Sequence, residues 1–177
     1  VSVGYSFAQS QKKRKDISVC YVGDGTLGEG QFYEALTLAS IFETPTLFVI
    51  ENNGYAQSTC NKYTLKGDIG RRIEGFGIKF LKSNIWDLSD LNSKSKESVD
   101  YVRNGIPTVL EVKCYRLNSH SKGDDNRKET EIEEFRNKDL INIYIKENFG
   151  WYQKYSEELK QKFDDVVEKS NKSNENN

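Results

Sequence analysis

Residues 22–55 constrain this chain more than any other stretch. Residues 17–22 (ISVCYV) are β-branched and aromatic and too short for a helix, so they read as a buried strand, which ends at Gly23-Asp24-Gly25. Residues 27–42 hold Phe32, Tyr33, Ala35, Leu36, Leu38, Ala39, Ile41 and Phe42, apolar on most faces, and predict a buried helix rather than an amphipathic one. Thr44-Pro45 breaks it. Residues 46–50 (TLFVI) form a second near-continuous apolar strand, closed by Glu51-Asn52-Asn53-Gly54-Tyr55. Strand, buried helix and strand at this spacing make a βαβ unit. The fold class is therefore α/β, with a mostly parallel sheet, helices on both faces and a right-handed crossover.

In such sheets ligands bind beyond the carboxyl ends of the strands, where Asp24 and Asn53 both fall. The N-terminus of the helix after Gly25 points to the same place and favours an anion, most simply a phosphate. The glycines let backbone approach it. A phosphate beside Asp24 would be repelled unless a divalent cation lay between them. Magnesium takes about six oxygen ligands and commonly bridges a carboxylate to phosphates. The Asp24 carboxylate, the Asn53 amide oxygen, one backbone carbonyl, two phosphate oxygens and a water complete that shell. Either motif alone is an ordinary turn signal; the pair on successive strands carries the reading.

The rest of the chain supports this frame. A helix is expected over residues 1–12, ending at the basic run Lys12-Lys13-Arg14-Lys15. Residues 54–63 read as a polar loop, 67–76 as a short helix capped by Asp68, and 78–81 as a third strand. Residues 87–103 make a polar helix with a thin stripe of Leu88, Leu91, Val99 and Val102, and 108–115 a fourth strand. Residues 116–127 (RLNSHSKGDDNR) form an exposed loop. Helices follow over 129–136 and 139–149, and then an amphipathic helix over 156–169 with Ser156 as N-cap. The expected organisation is an α/β domain over 1–115, a loop over 116–130, C-terminal helices over 131–169 and a disordered tail over 170–177.

Composition narrows the function classes. A net charge of −1 gives no electrostatic case for nucleic acid or an anionic membrane. No apolar run reaches the roughly 18 residues of a membrane helix. Three irregularly spaced cysteines argue against a disulfide framework or a zinc site, and Cys20 and Cys114 read as small buried residues. That usage suits a reducing compartment, the cytoplasm or, in a eukaryote, the mitochondrial matrix. The absence of methionine, even at position 1, is read as the mark of a piece of a longer protein.

Gly23-Asp24-Gly25, with Asn53 placed 29 positions after the aspartate, resembles the thiamin diphosphate fingerprint, which begins with GDG and ends with NN. The fuller text of residues 23–59, and the loop YRLNSHSKGDDNR, resemble the alpha subunit of the dehydrogenase component of 2-oxo acid dehydrogenase complexes, over roughly residues 1–165. The resemblance implies a thiamin diphosphate-binding fold and oxidative decarboxylation of a 2-oxo acid (pyruvate, branched-chain or acetoin type), with acyl transfer to lipoyl. It makes Asp24 and Asn53 the side-chain ligands of Mg2+ and gives Tyr55 the ligating carbonyl. The resemblance also implies that Gly23, Gly25 and Thr26 bind the cofactor at its diphosphate, and that His120 is the catalytic loop histidine that also contacts the cofactor. The implied partners are a beta subunit in an alpha2beta2 heterotetramer, which supplies the activating glutamate, and a lipoyl-bearing acyltransferase. The chain itself reads as the C-terminal part of an alpha subunit, inactive alone.

Some residues depart from the family pattern. Asn118 stands where many members carry a second histidine. Ser121 matches a serine that some relatives phosphorylate, though an ordinary loop serine is the plainer reading. Asp124, Asp125 and Gly150-Trp151 lean toward branched-chain members, and Arg127 matches a loop-anchoring arginine. Two rival readings are another enzyme of the transketolase-like superfamily, which shares the GDG–NN fingerprint but not the His120 loop, and a non-catalytic binding module with a phosphate-friendly fold.

Overall fold

The computed structural model describes residues 1–121, 123 and 125–174. They form two compact units, Val1–Phe135 and Arg136–Asn177. The segment expected as a loop over 116–130, and most of the helix after it, thus belong with the sheet.

In the first unit, α1 (Ser2–Gln11) precedes β1 (Ser18–Gly23). A 3-10 turn, Asp24–Gly28, leads into α2 (Gly30–Ile41), which returns to β2 (Thr46–Asn52). Residues 54–63, expected as loop, instead hold a small antiparallel hairpin of β3 (Tyr55–Ala56) and β4 (Thr59–Cys60), then a 3-10 turn Asn61–Tyr63. Gln57, at φ 56, makes its tight bend. Next come α3 (Ile69–Glu74), β5 (Lys79–Asn84), α4 (Leu88–Arg103), β6 (Thr108–Lys113) and α5 (Glu129–Arg136). Asp68 caps α3 as the sequence predicts, accepting from the Arg71 N–H, and Asp87 caps α4 by accepting from the Asp90 N–H.

The main sheet has the order β1-β2-β6-β5, every neighbouring pair parallel. Helices cover both faces, as expected. Phe48, Ile50 and Val109 pack with Val3 of α1, with Phe32, Leu36 and Ala39 of α2, and with Ile73 of α3. Leu47, Val49, Leu81, Leu110 and Val112 pack on the other face with Val102, Leu91 and Val99 of α4. On the first face, at the end of the sheet where β2 begins, a buried chain of hydroxyls joins α1 to β2. Ser6 Oγ lies 2.6 Å from Thr46 Oγ1, which lies 2.9 Å from Thr44 Oγ1.

Two burial expectations are corrected. β1 is an edge strand whose side chains alternate between half-buried and exposed; Val19 and Tyr21 stand open because α4 packs mainly on β5, β6 and β2. α2 is not buried all round: Phe32, Leu36 and Ala39 face the sheet, while Leu38, Ile41 and Phe42 are exposed. Its apolar residues exceed what one sheet face can cover. The three cysteines are each only partly buried.

The second unit contains α6 (Leu140–Glu147) and α7 (Phe149–Asn174), with the Tyr144 and Trp151 rings in edge contact at 5.8 Å. The amphipathic helix expected over 156–169 therefore starts seven residues earlier, and Ser156 lies inside it rather than capping it. Residues 170–174, expected as disordered tail, continue the helix, because they contain neither Gly nor Pro and Lys172 pairs with Glu168 one turn back at 2.6 Å. Residues 175–177 and Asp124 lie outside the described residues. Among those described, no helix is long and apolar enough to cross a membrane.

Candidate active site

Parallel register decides what meets at the carboxyl ends of the strands. Gly23 pairs with Glu51 and Asn52 with Lys113, so Asp24, Asn52 and Asn53 emerge side by side from β1 and β2. Asp24 opens the 3-10 turn and is buried, at 2% exposure. Its Oδ2 accepts from Asn61 Nδ2 at 3.1 Å. Its Oδ1 is buried and has no hydrogen-bond partner among the described residues. Burial pushes the Asp24 carboxyl above the usual carboxylate range, opposed by the Asn61 bond and more weakly by the nearby backbone N–H groups of Asp24, Asn53 and Gly54, none of which closes a hydrogen bond to Oδ1.

Asn53 Oδ1 accepts from the Tyr55 N–H at 2.9 Å, which turns the chain into the hairpin and leaves this oxygen a second lone pair. Gly54, at φ +82, makes the turn possible and sends its N–H to Asn52 Oδ1 at 3.2 Å. Gly25 lies against the hairpin: an added Cβ would meet the Ala56 Cβ at 2.8 Å. Thr26 is half-buried on the same 3-10 turn. Gly23 has no close neighbour for an added Cβ.

A second cluster lies on the hairpin. The Tyr55 hydroxyl donates to Glu131 Oε1 at 2.8 Å, and the Tyr115 hydroxyl to the same oxygen at 3.0 Å. Burial, and then Glu131, raise the pKa of both phenols. The Arg127 guanidinium lies over both rings, 5.6 Å and 5.1 Å from their centroids. It also donates to the Arg116 and Asn118 carbonyls and, through Nε and Nη2, to both oxygens of Asp125. This is the anchoring geometry expected of the loop arginine. Arg127 holds the Asp125 carboxyl far down, at about 2. Phe135 of α5 stacks on Tyr115 with ring centroids 3.8 Å apart.

His120 is exposed on the segment that Arg127 closes, and among the described residues no hydrogen bond or ring contact joins it to Asp24 or Asn53. The structure thus brings Asp24, Gly25, Asn53 and Tyr55 together. Sequence reasoning missed Asn61, Glu131 and the buried Glu111. Only Glu111 left a trace, as a charge among the apolar Val109, Leu110 and Val112 of a parallel strand.

Chemically, the site offers one buried carboxylate oxygen in need of a positive partner, amide and backbone oxygens beside it, and glycine backbone on the adjoining turn. No trio of His, Cys, Asp or Glu among the described residues is arranged to hold a metal by itself. A magnesium ion shared with phosphates needs only one or two carboxylates, so the donor set suits that use.

The sequence matches the family described as "Dehydrogenase E1 component" over residues 1–176. It is 31% identical to the pyruvate dehydrogenase E1 component subunit alpha of Rickettsia felis, covering 99% of this chain and 56% of that one. Identity to the Zymomonas mobilis protein of the same name is 35%, over 84% of this chain and 40% of the relative. To the mitochondrial 2-oxoisovalerate dehydrogenase subunit alpha of Dictyostelium discoideum it is 33%, over 75% and 31%. The chain thus spans about half the length of these curated relatives, or less. Among solved structures, transketolase from Campylobacter jejuni shares the fold, with a TM-score of 0.57 and 21% identity over 63% of this chain and 18% of that one. From the match over residues 1–176 and these relatives, the chain belongs to the dehydrogenase E1 component family, on the alpha-subunit side.

Proposed function

We propose that this chain is the magnesium- and diphosphate-binding part of a 2-oxo acid dehydrogenase alpha subunit that uses thiamin diphosphate. The observation that carries this reading is the unpartnered Oδ1 of buried Asp24 at the carboxyl ends of two parallel strands. A buried carboxylate oxygen without a donor is costly, and a cation at that point removes the cost. Asp24 Oδ1, Asn53 Oδ1 and the Tyr55 carbonyl would hold Mg2+. The backbone of Gly23 and Gly25, with Thr26, would face the diphosphate. Bound there, thiamin diphosphate supplies the nucleophile and electron sink for decarboxylating a 2-oxo acid.

The chain's own part is to bind and orient. Asp24 and Asn53 fix the diphosphate end. Gly25, pressed on Ala56, leaves the turn with no side chain on that side. The 116–127 segment carries His120, which can donate or accept a proton near the reacting end, and Arg127 ties that segment to Tyr55. A beta subunit in an alpha2beta2 assembly, and a lipoyl-bearing acyltransferase to receive the acyl group, complete the reaction. The aqueous compartment is cytoplasm or mitochondrial matrix.

Isothermal titration of the alpha chain assembled with its beta partner tests this. Thiamin diphosphate should bind with magnesium present and not with chelator, and Asp24→Ala should abolish binding. Near-normal magnesium-dependent binding by Asp24→Ala would sink the assignment.

A further inference from the structure

Glu111 is a charged residue at 2% exposure, on a central strand of the parallel sheet. Strand alternation puts it on the face of Val109, and the register sets it between Ile50 of β2 and Lys82 of β5. A buried carboxylate must be compensated. Its Oε1 accepts from Asn52 Nδ2 at 2.6 Å, while Lys82 Nζ stands 3.6 Å from Oε2, beyond hydrogen-bonding distance, with a half-exposed side chain.

The bond to Asn52 has a consequence for direction. A carboxylate only accepts, so it takes the NH2 side of the Asn52 amide, and Asn52 Oδ1 must turn the other way. There it accepts from the Gly54 N–H at 3.2 Å and from Asn61 Nδ2 at 3.4 Å. The second hydrogen of Asn61 Nδ2 then reaches Asp24 Oδ2 at 3.1 Å. Asn61 is itself held to the turn after Asn53 by its N–H on the Gly54 carbonyl at 2.8 Å. Asn61 Nδ2 therefore donates both ways, through Asn52 to the acceptor Glu111 on one side and to Asp24 on the other. Reversed at its origin, the relay would point the Asn61 carbonyl oxygen at the Asp24 carboxylate, oxygen against oxygen.

We infer that Glu111 and Asn61 are positioning residues for the Asp24 ligand: Glu111 sets the direction of the partly buried amide relay, and Asn61 at its end holds Oδ2 so that Oδ1 stays open to the cation. This rests on the function proposed above and adds two residues to it. Neither touches the cation.

The test measures the magnesium concentration for half-maximal thiamin diphosphate binding in the assembled alpha–beta protein, beside the Tm of the cofactor-free protein. Asn61→Ala should raise that concentration about 10–100-fold, the usual loss when the support of a metal ligand is removed. Glu111→Met, with no acceptor for Asn52, should do the same, and Glu111→Gln, which keeps an acceptor, should stay within about threefold of wild type. The cofactor-free Tm should rank the variants differently, since Glu111→Gln loses its attraction to Lys82 and yet keeps magnesium affinity. An unchanged half-saturation in Asn61→Ala overturns the inference, as does equal impairment of Glu111→Gln and Glu111→Met, which would leave only an ion pair with Lys82. If wild type itself binds no thiamin diphosphate with magnesium, the proposed function falls and this inference with it. If wild type binds and the variants match it, the inference alone falls.

Discussion

The Tyr55 hydroxyl donates to Glu131 Oε1 at 2.8 Å, joining residues 76 positions apart. The same oxygen takes the Tyr115 hydroxyl, so one carboxylate of α5 pins the hairpin beside Asn53 to the strand end that leads into the His120 segment. Glu131→Leu leaves two partly buried phenol hydroxyls without an acceptor. The expected loss is about 2–4 kcal/mol of stability, read by urea denaturation, against about 1 kcal/mol for Tyr55→Phe, which removes the donor as well. Equal effects of the two variants would mean that Glu131 holds nothing beyond Tyr55.

Gly25 and Gly23 should separate cleanly. A Cβ at position 25 meets Ala56 Cβ at 2.8 Å and its Cα at 3.2 Å, whereas at position 23 it meets nothing within 4 Å. Gly25→Ala should cost about 1–3 kcal/mol by overpacking and displace the Asp24 turn from the hairpin, while Gly23→Ala stays within about 0.5 kcal/mol. Thermal melts of the two proteins decide this, and a destabilised Gly23→Ala beside an unaffected Gly25→Ala would refute the packing argument.

Asp24 should oppose stability in the cofactor-free protein. It is buried with one oxygen unpartnered, so the charged form is disfavoured by folding. Asp24→Asn removes the charge and keeps the shape. In chelator it should raise stability by about 1–2 kcal/mol while losing magnesium-dependent cofactor binding, the usual trade at a functional site. Scanning calorimetry with and without magnesium checks both halves.

The Asp125–Arg127 pair makes a pH prediction. The Asp125 carboxyl lies at about 2 in the folded chain, below the ordinary 3.8, because Arg127 bonds its charged form. A depressed carboxylate contributes stability that is fully present above about pH 4 and lost as the pH falls toward about 2. Carbon NMR of the Asp125 carboxyl should titrate near 2 in wild type and return toward 3.8 in Arg127→Met. The 116–127 segment of that variant should be cut faster by protease at neutral pH, since Arg127 also holds the Arg116 and Asn118 carbonyls.

Much of the fold was legible in advance where a local signal was strong. The apolar strands at β1, β2 and β6, the break at Pro45 and the cap at Asp68 all declare themselves within a few residues. Burial was less legible. Phe42 and Ile41 carry the same hydrophobic signal as Phe32 and Leu36, and only the position of the sheet decides which of them it covers. The start of α7 was misplaced because Ser156 is as good a cap as Asp68, and the choice belongs to the helix that already runs through it.

For the site the division follows the same physics. Glycines, an aspartate and a pair of asparagines at strand ends are local facts, and with their spacing the sequence by itself determined which carboxylate and which amide meet at the head of the sheet. The partners that set those groups could not be read there. Asn61 reaches Asp24 across 37 positions, Glu111 reaches Asn52 across 59 and Glu131 reaches Tyr55 across 76. Such contacts depend on strand register and hairpin geometry, which are properties of the closed sheet. Only the tertiary structure decided that one oxygen of Asp24 is held and the other left open.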